Sequence, residues 1–116
     1  MTGTVYVREF YQAGKAIFEE GAPGYEMFII ENGEVVIWKT INNEKKILAT
    51  IGKGKIFGEM ALIDSSVRMA TAEAGQHGAT CIKVNSRKLE EALLQSPPLI
   101  RTLLKALVEN LRRIQK

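Results

Sequence analysis

Nine of the ten glycines fall between positions 14 and 78, and they cut that stretch into short runs rich in β-branched and aromatic residues. Such runs, separated by turn residues every ~8–12 positions, build antiparallel sandwiches and barrels, and closure of a barrel removes exposed sheet edges. A parallel sheet would need helical crossovers between its strands. No long helical pattern interrupts the runs before position 86, which argues against that alternative. Glu59-Met-Ala-Leu-Ile63 has the composition for a single turn of helix.

Two hairpins are expected. The runs YEMFII (Tyr25 to Ile30) and EVVIWKT (Glu34 to Thr40) are joined through Asn32-Gly33. Asn-Gly between apolar runs predicts a type I′ turn, which needs φ > 0 at both central residues. The second hairpin runs from Val35 through Ile41-Asn42-Asn43-Glu44 to Ile51. Gly75-Gln76-His77-Gly78-Ala79 reads as an exposed turn.

After Val84 the period becomes helical. Asn85-Ser86 can cap a helix through Gln95, and Ser96-Pro97-Pro98 supplies a second N-cap with proline at the first helical position. In the second helix Ile100, Leu104, Leu107, Leu111 and Ile114 recur at spacings of four, three, four and three, with Leu103 and Val108 widening the stripe. Packing on the chain's own barrel or a homodimer through this last helix would each bury that face.

The 116 residues, 46% hydrophobic and 25% charged, suit one domain able to bury a core without disulfides. The expected layout is a single domain over 1–116, with the β-barrel at about 4–84 and C-terminal helices at about 86–116. The lone Cys81 excludes an intramolecular disulfide and a Cys-cluster zinc site, and a reducing cytoplasm is the expected location. No secretory signal or membrane-spanning run is visible. The lone His77 argues against zinc hydrolases, which take two or three imidazoles, and no catalytic cofactor or metal is expected. From Lys83 onward eight basic residues face three acidic ones. They are not interleaved with aromatics, so a solvated cationic helix face is favoured over a nucleic-acid or membrane partner.

The segment IFGEMALIDSSVRMATAEA, from Ile56 to Ala74, carries the chemistry. Gly58-Glu59 opens a helical turn whose first N–H groups, from about Met60 to Leu62, have no intrahelical acceptor and can receive an anion. Arg68 follows at a distance from which its guanidinium can return to those donors, in the bidentate geometry that suits phosphate. Glu59 would repel a phosphate but can accept from a sugar hydroxyl beside it. An ordinary Glu59–Arg68 ion pair across the loop satisfies the same spacing.

Phe57-Gly58-Glu59-Met60-Ala61-Leu62-Ile63, a short loop, and Arg68-Met69-Ala70-Thr71 resemble the phosphate-binding cassette of the cyclic nucleotide-binding domain family. The resemblance extends to Gly14–Gly21, to Met27–Gly33 and to a C-terminal lid helix from Ser96 to Arg113. It implies an antiparallel jelly-roll barrel (a double-stranded β-helix), mainly β, with a short cassette helix within 57–72 and a lid helix. It also implies a non-enzymatic sensor of cAMP or cGMP. Glu59 would take the ribose 2′-OH, Arg68 the cyclic phosphate, and the backbone N–H groups of Ala61, Leu62 and Ala70 would complete the cradle. Ile114, with Arg113 and Gln115 beside it, would cover the base.

The residue after the cassette arginine is Met69. A threonine there goes with guanine preference in the family, and methionine offers no hydroxyl, so cAMP is favoured over cGMP. Family members place an effector after the lid helix, and the expected partner is an effector protein in trans or an effector domain outside this chain. The alternative reading is a non-binding barrel that serves as a protein-interaction module through its Leu-rich last helix.

Overall fold

The computed structural model describes residues 6–60 and 67–114, with backbone alone for Val108 and 111–114. Among these residues six strands precede two helices: β1 (Val7–Tyr11), β2 (Ala16–Phe18), β3 (Glu26–Ile41), β4 (Glu44–Gly52), β5 (Ile56–Phe57), β6 (Thr71–Asn85), α1 (Ser86–Leu94) and α2 (Pro98–Ile114); most of the segment expected to form the short cassette helix lies outside the described residues. Every pairing among the described strands is antiparallel, in the order β1-β6-β3-β4, with β2 on β6 and β5 on β3. The expected mainly antiparallel jelly-roll architecture with C-terminal helices is thus the one observed.

Two long strands make both walls. The second half of β6 pairs with β1 and with the first half of β3, whereas its first half pairs with β2 and with the second half of β3. The change of wall falls where Gly33 lies opposite Ala79. Gly33 and Gly78 both have positive φ, 84° and 77°, and a Cβ on Gly33 would collide with the Gly78 carbonyl oxygen. Two backbones can approach this closely only where side chains are missing.

That geometry corrects two expectations. Asn32-Gly33 is not a hairpin turn, because only Gly33 has positive φ and β3 continues through it with a register shift on each side. It is a bulge that bends the strand. Gly75–Ala79 is likewise not a turn but the bend of β6, with Gln76 and His77 exposed. The type I′ geometry sits instead at Asn42 and Asn43, with φ of 54° and 64°, closing the expected β3–β4 hairpin.

Alternation along these strands turns Tyr11, Phe28, Ile30, Val35, Phe57, Ala72, Ala74, Ala79 and Cys81 into one core, flanked by Ile17, Phe18, Ile37 and Ile51. Burial raises the Cys81 thiol pKa to about 11, with the Glu9 carboxylate adding to the effect. Asn85 caps α1 as expected, accepting from Lys88 N at 2.8 Å. Pro98 opens α2, but Ser96 is not its cap, since the Ser96 hydroxyl donates back to the Ala92 carbonyl at 2.9 Å.

The face of α2 is not packed on the barrel in the way one of the two readings expected. Of the stripe, Ile100, Leu104 and Leu107 are 43%, 39% and 50% exposed, and Leu103 and the neighbouring Leu99 are more exposed still. The Pro97-Pro98 step fixes the backbone at the link and starts α2 on its own axis, beside α1.

Candidate functional site

Arg68 is the organising residue. Its backbone is clamped against the turn before β3: Arg68 N–H donates to Ala22 O at 2.8 Å, and Gly21 N–H donates to Arg68 O at 2.8 Å. Arg68 as a residue is 8% exposed, and its side chain lies over the Phe18 ring, with Cζ 4.0 Å from the centroid. Nη1 donates to Gly58 O at 3.1 Å and Nη2 to Glu26 O at 2.7 Å. Nε is buried without a partner among the described residues.

No carboxylate within ion-pair distance neutralises this cation among the described residues. The Glu59–Arg68 ion pair allowed by the spacing does not form. Burial lowers the Arg68 pKa, and the more distant Glu26 carboxylate opposes that shift. A guanidinium in this setting remains charged. A buried charge without a counter-charge is costly, and an anion delivered from outside would offset that cost.

The space beside it is a cavity of about 330 Å³. Phe57, Gly58, Glu59, Met60, Arg68, Met69 and Ala70, all singled out from sequence, line it. Gly58, with φ of 73°, turns the chain out of β5 so that Glu59 and Met60 follow along the rim. Ala61 and Leu62 lie outside the described residues. Met69 is 66% exposed at the mouth, and its carbonyl accepts from Lys39 Nζ at 2.9 Å.

The remaining wall was not anticipated. Phe18 and Ile37 are joined by Ala49, Ile51 and Ile56 from the β3–β4–β5 side, giving an apolar floor. Glycine at position 24, whose missing Cβ admits the Arg68 side chain, is the sequence signal of this close approach. Of the lid candidates, Arg113 and Ile114 belong to the last turn of α2, with side chains outside the description, and Gln115 lies outside the described residues. None of the described residues lining the cavity comes from α2.

One face of the cavity can therefore hold an anion at Arg68, one carboxylate can accept from a hydroxyl, and the floor can take a flat apolar or heteroaromatic body. No helix of the described residues is long and apolar enough to cross a membrane.

Comparison with known proteins leads to the same place. Residues 8–96 match the profile of the cyclic nucleotide-binding domain. The cyclic AMP receptor protein of Thermus thermophilus is 36% identical over 70 residues, 60% of this chain and 32% of that protein. The cAMP-dependent protein kinase regulatory subunit of Schizosaccharomyces pombe is 41% identical over 64 residues, 55% of this chain and 15% of that protein. The chain thus spans less than a third of the length of either relative. Among solved structures, the half-site-occupied form of the EAL enzyme Bd1971 superposes with a TM-score of 0.90 at 31% identity, covering 97% of this chain and 100% of that one. The cAMP-bound and cGMP-bound forms of the same enzyme superpose with TM-scores of 0.68 and 0.70 at 32% identity, each covering 94% of this chain and 29% of theirs.

Proposed function

The chain belongs to the cyclic nucleotide-binding domain family, and from that premise we propose that it is a non-enzymatic regulatory domain binding cAMP in preference to cGMP. The observation that carries the reading is the Arg68 guanidinium, buried in the cavity wall with no carboxylate paired to it among the described residues. A cyclic phosphate supplies one negative charge and oxygen acceptors at that position. Glu59 accepts from the ribose 2′-OH, the N–H groups of Ala61, Leu62 and Ala70 complete the phosphate cradle, and the apolar floor takes the purine.

Preference for cAMP rests on Met69, which lines the mouth and has no hydroxyl to offer guanine. Ligand then favours one arrangement of α1 and α2 over another, with Arg113, Ile114 and Gln115 covering the base. It does so only to the extent that it binds the two arrangements with different affinity. The output passes to an effector in trans or in a longer protein.

Calorimetric titration with cAMP, cGMP and 2′-deoxy-cAMP tests this. Binding of cAMP is expected, weaker binding of cGMP, and a further loss for the deoxy analogue. No heat with either nucleotide at millimolar concentration refutes the reading. A second reading has its own observation: the exposed Leu99, Leu103 and Leu107 stripe suits a homodimer or a protein-interaction module. Sedimentation with and without cAMP separates them, since a module without a ligand shows a fixed oligomer indifferent to nucleotide.

A further inference from the structure

Nucleotide recognition by Arg68 presupposes that its guanidinium is held in one place, and its two side-chain hydrogen bonds, to the carbonyls of Gly58 and Glu26, leave Nε without a partner among the described residues. Two neighbours shape a slot for it. The Phe18 ring lies 4.0 Å from Cζ. The bare α-carbon of Gly24 leaves it room: a Cβ built there would stand 2.5 Å from Nε, 2.8 Å from Cζ and 2.9 Å from Cδ.

Gly24 differs from the turn glycines of this chain. Gly14, Gly21 and Gly54 have positive φ and nothing within 4 Å of a built Cβ, so backbone conformation explains them. Gly24 has no positive φ, and the three atoms nearest a Cβ built there all belong to the Arg68 side chain. A methyl group at position 24 therefore leaves the backbone unstrained and is accommodated by moving a flexible side chain. The substitution displaces the guanidinium rather than the fold.

We propose that Gly24 and Phe18 are positioning residues that form a slot for the Arg68 guanidinium and so set the affinity of the cavity for the phosphate of a cyclic nucleotide. The proposal deepens the function argued above and rests on it for the ligand. The slot itself is a property of the ligand-free chain. Phe18 contributes as an aromatic face beneath a cation, which an aliphatic side chain of similar size does not replace.

The experiment reads both levels. In ¹⁵N-labelled ligand-free protein, the Arg68 Nε–H resonance, assigned by its loss in Arg68→Lys, is expected to be slow to exchange and displaced by the Phe18 ring current. Gly24→Ala should move it to the position of a solvated arginine while the backbone amide spectrum stays that of the folded chain. In calorimetry, Gly24→Ala should weaken cAMP binding about tenfold, the loss of one charge-assisted contact, and Phe18→Leu about two- to thirtyfold. In an Arg68→Ala background neither should cost more than about twofold, because coupled residues are not additive.

An unmoved Nε–H resonance in Gly24→Ala overturns the slot. So does an equal loss of affinity with and without Arg68. Where Gly24→Ala fails to fold, Phe18→Leu carries the same two readouts. Silence of the wild-type chain towards both nucleotides refutes the function, and the Nε–H resonance then decides the slot alone.

Discussion

Replacing Arg68 with methionine separates what the cation does for the fold from what it does for a ligand. Methionine keeps an unbranched apolar stem over Phe18 and removes the charge. The ligand-free chain then loses two charge-assisted bonds, to Gly58 O and Glu26 O, at about 1.5–3 kcal/mol each. It also loses the cation–π contact with Phe18, worth about 0.5–2 kcal/mol. Against these stands the relief of a desolvated cation with no counter-charge among the described residues, on the order of several kcal/mol. The two sides nearly cancel, and urea unfolding should place Arg68→Met within about 2 kcal/mol of wild type. Binding has no such compensation. Two charge-assisted contacts to a phosphate are together worth about 3–6 kcal/mol, so the Kd for cAMP should rise by roughly 10²–10⁴. Saturating cAMP at about 100 times Kd should raise wild-type stability by about 2.7 kcal/mol and leave the variant unmoved. A variant that loses more than about 4 kcal/mol of stability while binding cAMP as the wild type does would show that Arg68 is a structural residue, and would refute the reasoning from an uncompensated charge.

Three further outcomes are expected. Gly33→Ala should cost about 3 kcal/mol or more in urea unfolding, since it adds collision with Gly78 O to a left-handed backbone, whereas Gly54→Ala, open on all sides, should cost only about 1–2; equal losses would remove the close-approach argument. The Cys81 thiol, fully buried and raised to about 11, should resist iodoacetamide at pH 8 until the chain unfolds, and alkylation at the rate of a free thiol would contradict its burial. The hydrogen bond from Lys83, at 2.9 Å, holds the Glu9 carboxyl below its ordinary range. That contribution is present above the unfolded pKa and fades as pH falls through the lower folded value. Glu9→Gln should therefore flatten the fall of Tm with acid below about pH 4.5, and an unchanged Tm–pH curve would show that the pair does not couple to folding.

Local chemistry made much of the fold legible. Strand content, the change to helix after Val84, the Asn85 cap and the Asn42-Asn43 hairpin each depend on residues within a few positions of one another, and each appears where expected. The misreadings share a cause. Asn32-Gly33 and Gly75–Ala79 carry the composition of turns, but their conformation is set by one another, through a register that pairs Gly33 with Ala79. A glycine that permits a turn equally permits two strands to bend at a crossing. Which of the two occurs depends on a partner more than forty positions away, and local composition does not encode it. Ser96 shows the same limit at a smaller scale, its hydroxyl turning back to Ala92 rather than forward to α2.

The site was legible in its charged members and illegible in what surrounds them. Glu59 and Arg68 stand out as types at a spacing, and the spacing was equally compatible with an ion pair between them. The structure separates the two readings by what Arg68 touches. Its neighbours are two carbonyls, an aromatic face and a glycine, and among the described residues no acid is paired with it. Those partners come from two stretches of chain, near positions 18–26 and at 58, which the barrel brings together around Arg68. An interior ion pair would have satisfied the arginine permanently and left the cavity wall neutral. A cation left solvent-poor and without a paired acid among the described residues makes the empty cavity the less favourable state, and it is this difference that an anionic ligand can convert into affinity. On that argument the apolar slot matters as much as the charge, because the same guanidinium in water would gain little from one phosphate.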